Sequence, residues 1–574
     1  MAVTTRGTQR AATSAVRVRK LLDYVAGSHV RVAACLVILC LCAFLPGFFS
    51  IPPVDRDEAR FAQATKQMIE SGDYVDIRFQ EERRYKKPVG IYWLQAAVVN
   101  TAEAIGVPRA RARIWLYRIP SLFGAIGAVL LTYWAALAFV SRRAALLAAG
   151  MMATSILLGV EARLAKTDAV LLSTIIAAMG ALGRAYLDDW HRRERDNPWL
   201  LPAIFWTAIA AGILLKGPLI LLFVGLTVLA LFAFDRSLRW LRALKPLAGM
   251  AWMLVLVLPW FVAITLKSGE SFFADSIAGD MLAKVASGQE SHGAPPGTYF
   301  LLFWATFFPG AMLAGLAAPA VWRDRAEPGA KFLLAFVVPT WVVLEMVVTK
   351  LPHYVLPLYP AIAILIAGVL DNNMLARHRW LERGVIWWFL LTVGLAVVAL
   401  YLHIRFAHQA GLAAWPFAVT ALILALFAWW LYRVDGAEMS LLRMGAASVL
   451  TAIGMYALTF PAIPRLFPSP QLARVVRNAP CAGPLVATAG YHEPSLVFLV
   501  GTGLQHVDGR EAAEFLNRGG CRIAFVESRQ ERSFVQRADS LGLRYAAGPR
   551  IEGINLSGGR QVSIAAYISN EPTP

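Results

Sequence analysis

The stretch 53-PVDRDEARFAQATKQMIESGDYVDIRFQEERRYKKP-88 concentrates acidic and basic residues between two long apolar segments. Prolines end the preceding apolar segment, and Asp55 is placed to cap a new helix. Asp57 and Glu58 fall in the first turn of that helix, where the helix dipole favours carboxylates. Apolar residues then recur at helical spacing, which predicts an amphipathic helix lying along a membrane surface. The two acids either serve only this helix start or belong to a functional site.

The composition of the whole chain defines its broad class. It has 574 residues, of which 58% are hydrophobic and only 16% charged, and it contains many apolar runs of spanning length. These values exclude a soluble protein and indicate a polytopic α-helical membrane protein. The formal charge is +18, but the basic residues lie mostly in short segments between apolar runs. This distribution is typical of topology signals and of contact with anionic membrane lipids, so we expect no nucleic-acid partner.

Basic loops indicate the topology. Residues 1–29 are polar and basic, and the following apolar run is too long for a signal peptide, so we expect a cytoplasmic N-terminus and an uncleaved first span. Residues 89–107 are apolar enough to be considered as a second span, but five basic loops further along the chain would then face outward. We therefore expect residues 55–107 to form interfacial helices of the first outer loop.

About 13 transmembrane helices remain within a membrane domain of residues 30–461. Their odd number places residues 462–574 on the outer side. The predicted spans are 30–50, 119–139, 144–160, 169–187, 199–215, 217–234, 247–266, 299–319, 331–348, 354–370, 384–403, 414–432 and 443–461.

The last part of the chain has a different character. Short β-type runs (PLVATAG, IAFVE, QVSIAAYIS) alternate with amphipathic helical stretches (REAAEFLNRGG, ERSFVQRADSLG) from Cys481 onward. This alternation predicts a soluble α/β domain within residues 462–574. Cys481 and Cys521 could form a disulfide if the domain is extracytoplasmic, and no C-x-x-C pair suggests a zinc site.

With this topology, the polar islands at span ends all face outward. Random placement would divide them between the two faces, so their convergence predicts one outer site. The islands comprise Asp57, Glu58, Arg60 and Lys87; Glu161, Arg163, Lys166 and Asp168; Lys216; Glu290 and His292; and Lys350, His353 and Tyr354.

The mixture of residue types suits a lipid-linked phosphate. Lysine and arginine hold phosphate oxygens, while carboxylates can orient a sugar, a metal or an amine. The alternative is that each Lys or Arg only marks a membrane boundary by extending its charge to the surface.

A series of motifs over residues 50–370 resembles a known family. DEARFAQ, KKPVGIYWL, RIPSLFGAIGA, SRRAALLAA, EARLAKTD, LKGPL, PWF and KLPHYVLPLYP are similar to motifs of bacterial glycosyltransferases of the GT-C fold that use polyprenyl-phosphate sugars. The resemblance is closest to the lipid A 4-amino-4-deoxy-L-arabinose (aminoarabinose) transferases, which are associated with polymyxin resistance. These enzymes are related to the dolichyl-phosphate-mannose protein mannosyltransferases. The usual acid-Lys-Pro-Pro of the family is Lys86-Lys87-Pro88-Val89 here.

The resemblance implies an inverting transfer at the periplasmic face of the bacterial inner membrane. Undecaprenyl phosphate would be the leaving group and a lipid A phosphate the acceptor. Asp57 and Asp168 match the two acids of the catalytic site, with Glu58 beside the first, and Lys87 matches a contact to the lipid phosphate. A lipid A phosphate is already anionic at neutral pH and needs no strong general base.

Further candidate residues follow from their position at the outer ends of the spans. Those expected to bind the donor phosphate or the substrate are Arg60, Lys350, Tyr354, His353, Arg163 and Lys216. A divalent cation is a further candidate cofactor, and its candidate ligands are Asp57, Glu290 and His292.

Two other functions remain open on sequence grounds. One is a protein or glycan glycosyltransferase that uses a polyprenyl-phosphate sugar, and it would need a base for a hydroxyl acceptor. The other is a flippase for a lipid-linked sugar. Transporters place ionisable residues near the bilayer midplane and often contain repeated halves, whereas the charges here lie at span ends and no internal repeat is evident.

Overall fold

A computed structural model describes residues 17–191, 197–269, 272, 293–407, 413–556 and 558–569. Most of the described chain is helical up to residue 477, and a β-sheet unit follows. Glu290 and His292, two of the predicted metal ligands, lie outside the described residues.

The helices up to residue 452 build the membrane domain. In chain order they are α1 (Arg17–Ala26), α2 (His29–Phe44), α3 (Asp57–Ser71), α4 (Gly90–Ala104), α5 (Ile114–Ala136), α6 (Arg142–Ala153), α7 (Ile156–Glu161), α8 (Asp168–His191), α9 (Leu200–Lys216), α10 (Leu219–Asp235), α11 (Pro246–Ser268), α12 (Thr298–Thr306), α13 (Ala311–Arg323), α14 (Pro328–Met346), α15 (Tyr359–Asp371), α16 (Arg379–Arg383), α17 (Trp387–Leu402), α18 (Trp415–Trp430), α19 (Tyr432–Asp435) and α20 (Ala437–Ala452).

Short turns and one hairpin connect these helices. The 3₁₀ and π turns are Ala110–Ala112, Arg239–Leu244, Pro352–Tyr354, Leu356–Leu358, Gly384–Ile386, His403–Ala407, Ile453–Thr459, Phe460–Ala462 and Pro464–Leu466. The hairpin lies between α3 and α4 and consists of β1 (Arg78–Phe79) and β2 (Glu82–Arg83), which pair antiparallel.

Seven helical stretches of the described chain are long and apolar enough to cross a membrane, and two bent helix pairs raise the number to nine. Three shorter apolar helices, α9, α10 and α18, have 10–17 residues. The protein is therefore a polytopic helical membrane protein. The seven stretches are Ile114–Ala136, Asp168–His191, Pro246–Ser268, Pro328–Met346, Pro352–Asp371, Arg379–Phe406 and Ala437–Ala462.

Two of the predicted continuous spans are wrong in detail. The stretch 144–160 is divided into α6 and α7. At the break, the N–H of Ile156 donates to the carbonyl of Phe308 (3.3 Å) and not to a carbonyl of the preceding helical turn. The stretch 299–319 is divided into α12 and α13, which meet at 117°. Pro309 lies at this break and has no N–H to continue the helical ladder.

The helix predicted to lie in the membrane interface is α4. It has only 15 residues, too few to cross a hydrocarbon core that requires about 20. It packs between α3 and α5. The predicted surface helix at 57–71 is α3, and both helices belong to the segment between α2 and α5.

Close packing of α5 and α8 fixes the start of α8. Gly124 of α5 faces the backbone of Val170, and a Cβ at this glycine would lie 2.7 Å from the Val170 Cα atom. The Ser121 hydroxyl donates to the carbonyl of Lys166 (3.0 Å). The segment that leads into Asp168 is therefore held against α5 by backbone contact, which leaves little freedom for its side chains.

The C-terminal unit is a five-stranded mixed sheet with flanking helices. The strand order is β4-β3-β5-β7-β6; β3 is parallel to β4 and β5, while β7 is antiparallel to β5 and β6. A disulfide joins Cys481 to Cys521, with their Cα atoms 5.9 Å apart. The elements are α21 (Pro468–Arg477), β3 (Leu485–Ala489), α22 (Pro494–Val500), β4 (Gln505–Val507), α23 (Gly509–Asn517), β5 (Arg522–Glu527), α24 (Ser528–Ser540), β6 (Tyr545–Asn555) and β7 (Arg560–Ser569).

Candidate active site

Four separate segments bring charged side chains together at one end of the helical bundle. Glu161 ends α7, Asp168 begins α8, Lys216 ends α9, and His353 lies in the 3₁₀ turn before α15. Lys166, in the connector between α7 and α8, completes this group, which we call the charged cluster. All five side chains are at least nine-tenths buried. A buried group of this kind is costly unless its charges compensate one another.

The distances within the charged cluster show that its charges compensate one another. The Lys216 Nζ lies 2.5 Å from the Asp168 Oδ1, and the Lys166 Nζ lies 3.6 Å from the Asp168 Oδ2 and 3.2 Å from the Glu161 Oε2. The His353 ring bridges the two acids, with its Nδ1 3.6 Å from Glu161 and its Nε2 3.6 Å from Asp168. Two carboxylates therefore face two ammonium groups, and the imidazole lies between the acids.

Tyr354 and Glu161 give the cluster further binding capacity. The Lys216 Nζ lies 5.2 Å from the centre of the Tyr354 ring, and the rings of His353 and Tyr354 meet edge to face at 5.0 Å. The Glu161 Oε2 is buried and makes no hydrogen bond within the described residues, although it lies near the Lys166 amine. This oxygen can accept a hydrogen bond from a substrate hydroxyl or ammonium group.

Asp57, at the start of α3, acts electrostatically on the charged cluster. Burial by itself lowers the pKa of the Lys166 amine, but nearby carboxylates raise it above its ordinary value, those of Glu161 and Asp168 most and that of Asp57 after them. The ammonium form of Lys166 is therefore maintained by acids from both segments. Arg56, which precedes Asp57, has a φ angle of 67°. Such a conformation in a non-glycine residue persists only where its surroundings hold it, and it is common at functional sites.

Glu58 has a different environment from the one predicted for a catalytic acid. Both of its oxygens bind Arg118, at 2.7 Å and 2.9 Å, and they also accept the N–H groups of Val54 and Ala165. The Glu58 side chain is 1% exposed. The structure therefore places Glu58 as a support that ties the first loop to the α7–α8 connector, with no oxygen left for a substrate.

Arg163 and Lys350 lie apart from the cluster. Arg163 donates to the carbonyls of Pro46 (2.7 Å), Ala43 and Gly159, and its guanidinium stacks on Tyr456. The Lys350 amine donates to two carbonyls at the end of α14. Both side chains are bound to backbone carbonyls, so the structure does not bring them to the site where the sequence predicted them.

The remaining predicted cations lie in the first loop. Arg60 is on α3 and Lys87 lies three residues before α4, and both are partly buried. They belong to the same loop as Asp57, as the sequence predicted.

The fit of a divalent cation can be tested on the charged cluster. Glu161, Asp168 and His353 place potential ligand atoms within 4.8 Å of one another. However, Lys216 and Lys166 already neutralise the two carboxylates, and a cation would have to displace these ammonium groups. The described residues therefore fit a hydrogen-bonded charge network better than a metal site.

Sequence reasoning undervalued three of the residues in and around this site. Glu161 and Lys166 belong to the EARLAKTD motif but were not assigned a role, and Arg118 was not among the candidate site residues. Charged side chains flanked by apolar residues are the signal that could have identified all three.

The architecture is that of a polytopic helical membrane protein, and its fold matches that of solved structures. The structure matches the apo crystal structure of ArnT from Cupriavidus metallidurans with a TM-score of 0.72 and 17% identity, over 93% of this chain and 97% of that chain. It matches the same protein bound to undecaprenyl phosphate with a TM-score of 0.68 and 19% identity, over the same fractions of the two chains.

Sequence comparison identifies a family model and several named enzymes that are similar to this chain. Residues 34–268 match the family model described as dolichyl-phosphate-mannose-protein mannosyltransferase. The undecaprenyl phosphate-alpha-4-amino-4-deoxy-L-arabinose arabinosyl transferase of Erwinia tasmaniensis is 27% identical over 54% of this chain and 54% of its own length. The enzyme of the same name from Pseudomonas paraeruginosa is 27% identical over 68% of this chain and 69% of its own length. The chain thus matches only about half of the first of these relatives.

Proposed function

We propose that this protein transfers 4-amino-4-deoxy-L-arabinose from undecaprenyl phosphate to a lipid A phosphate, and thereby confers resistance to polymyxin and other cationic peptides. The observation that carries the proposal is the charged cluster, which joins Asp168 to Lys216 and His353 and which lies within electrostatic range of Asp57. The names of the sequence relatives, and the undecaprenyl phosphate bound to ArnT in one of the two matched crystal structures, support the choice of donor and sugar.

In this proposal the acids position the sugar and the cations bind the phosphate. Asp168 lies 3.6 Å from the Lys166 amine and Asp57 acts on the same amine electrostatically, so in this proposal the two acids hold the sugar hydroxyl and ammonium groups. As the bond between sugar and phosphate breaks, negative charge grows on the leaving phosphate. In the proposal Lys87 and Lys216 stabilise that charge, and a cation held against it lowers the barrier more than it tightens donor binding. Arg60 and Tyr354 are further candidates for this contact.

The orientation is part of the proposal. We place the N-terminus in the cytoplasm, and the charged cluster and the C-terminal unit in the periplasm, within an inner-membrane protein of about 13 spans. The disulfide between Cys481 and Cys521 supports an oxidising compartment for the C-terminal unit. At another surface of the bundle, Arg143 pairs with Asp23 and Glu438, and the basic residues near α1 suit the cytoplasmic side.

The test is turnover by the purified full-length protein in detergent. The protein is supplied with undecaprenyl-phosphate aminoarabinose and lipid A, and the lipid A is analysed by mass spectrometry for the added amino sugar. We expect the addition with the wild-type protein and none with Asp168→Asn. Absence of the product with the wild-type protein, under conditions in which a known aminoarabinose transferase is active, would refute the proposal.

A second candidate is transfer of a polyprenyl-linked sugar to a protein or glycan, which the match of residues 34–268 to the mannosyltransferase model favours. A hydroxyl acceptor would need a base, whereas a phosphate acceptor would not. Supplying the same donor with lipid A, and then with a hydroxyl-bearing peptide or arabinan, separates the two. A flippase would transfer sugar to neither acceptor.

A further inference from the structure

One side chain of the C-terminal unit is inserted into the membrane domain. Phe498, on α22, is fully buried and its ring meets that of Tyr117 edge to face at 5.3 Å. The same hydrophobic cluster contains Ala62 of α3 and Ala165 of the α7–α8 connector. The Phe498 ring therefore belongs to one packed cluster with both chain segments that carry the proposed catalytic acids.

Polar contacts extend this interface along one face of α3. Residues 63, 66 and 70 share that face because they are three and four positions apart. Gln63 donates to the Thr502 hydroxyl (2.8 Å), which in turn donates to Glu70 (2.7 Å), and the Lys66 amine donates to the carbonyl of Phe498 (3.0 Å). Each of these bonds joins α3 to α22 or to the turn after it. The C-terminal unit thus holds α3 along residues 63–70.

The interface reaches the residues beside Asp57. The N–H of Ser495 donates to the Asp55 carboxylate (2.9 Å), so α22 is capped from the first loop. Asp55 immediately precedes Arg56, whose left-handed backbone conformation requires support from its surroundings. The support comes from Ser495 on one side and from the Glu58 ion pair on the other.

We infer that the C-terminal unit is a positioning part of the active site, in which Phe498 and Ser495 hold the α3 helix so that Asp57 faces the charged cluster. The unit itself contributes no group to the reaction. Its role is geometric: a shift of about 1 Å in a catalytic group can lower a rate about a hundredfold without changing substrate affinity. Of the measurements that test this inference, only the rate of sugar transfer rests on the proposed transferase function.

The experiment compares matched variants of the full-length protein. Phe498→Ala removes the inserted ring, Phe498→Leu retains much of its volume, and Lys66→Met removes the polar contact without opening a cavity. Phe534→Ala is the control, because Phe534 is equally buried in the C-terminal unit but stacks on Tyr567, away from the first loop. Two quantities are measured: hydrogen exchange of the α3 backbone amides, and kcat and KM for the lipid-linked donor.

In Phe498→Ala we expect faster exchange in α3 and a fall in kcat of about tenfold to a hundredfold with KM changed less than about twofold. Lys66→Met should show the same pattern to a smaller degree, and Phe498→Leu should recover most of the loss. Phe534→Ala should leave α3 exchange unchanged. Unchanged α3 exchange in both Phe498→Ala and Lys66→Met would overturn the inference, as would an equal loss of kcat in Phe534→Ala. If the wild-type protein transfers no sugar, the proposed function fails, and the exchange data still decide this inference.

Discussion

Replacement of Arg118, on α5, by methionine should destabilise the protein far more than loss of an exposed charge before that helix. The Arg118 side chain is fully buried, and its five N–H groups make five hydrogen bonds, four of them buried and one partly buried. Two reach the Glu58 carboxylate, and the others reach backbone carbonyls before α3. These carbonyls belong to Phe48, Ile51 and Pro52.

The magnitude follows from what the substitution leaves behind. Methionine fills similar space, but the Glu58 carboxylate stays buried with only two backbone N–H partners. Leaving one partner of a buried ion pair uncompensated costs about 3–5 kcal/mol. The double variant Glu58→Gln with Arg118→Met removes the unpaired charge, so it should regain part of that loss.

A natural control lies in the 3₁₀ turn before α5. Arg111 pairs with Glu103 at 3.0 Å, but these side chains are 40% and 47% exposed. Arg111→Met should therefore cost less than about 1 kcal/mol. The assay is unfolding in mixed micelles, followed by tryptophan fluorescence, for the three variants and the wild-type protein. If Arg118→Met loses no more stability than Arg111→Met, burial does not decide the strength of these pairs and the reasoning is wrong.

Three other predictions concern the site and its surroundings. Lys216→Met should lower the rate of sugar transfer at least about a hundredfold while the protein stays folded, because the substitution leaves Asp168 with a single lysine partner. Single-turnover kinetics measure this rate, and a near-normal rate would contradict the prediction. Lys87→Ala should lower kcat more than it weakens donor binding, whereas Lys245→Ala, outside the site, should change neither quantity. Equal rates in the two variants would refute the proposed contact between Lys87 and the donor phosphate. Burial and then the charge of Glu493 raise the pKa of Asp55 to about 7, so ionisation of this carboxyl destabilises the folded state increasingly as the pH rises from about 4 to about 7, and fully above that. Asp55→Asn should therefore raise the apparent Tm at pH 8, and its advantage should shrink as the pH falls from 7 towards 4; a constant difference across this range would contradict it.

Local sequence patterns determined the class of the protein. Spans of apolar residues indicate a polytopic membrane protein, and the helical spacing after Asp57 predicts α3, because hydropathy and periodicity are properties of neighbouring residues. Charged residues at span ends also identified Asp168, Lys216 and His353 as candidates for one site. In the structure these three side chains lie in the charged cluster.

The tertiary structure alone decided how the charges are paired. Glu58 meets Arg118 from 60 residues away, and Arg163 and Lys350 donate to backbone carbonyls, so three of the predicted site residues have structural partners. The contact between Asp55 and Ser495 joins residues 440 positions apart. No local pattern encodes such partners, because a buried charge can be satisfied by any acid, amine or carbonyl that the fold brings to it.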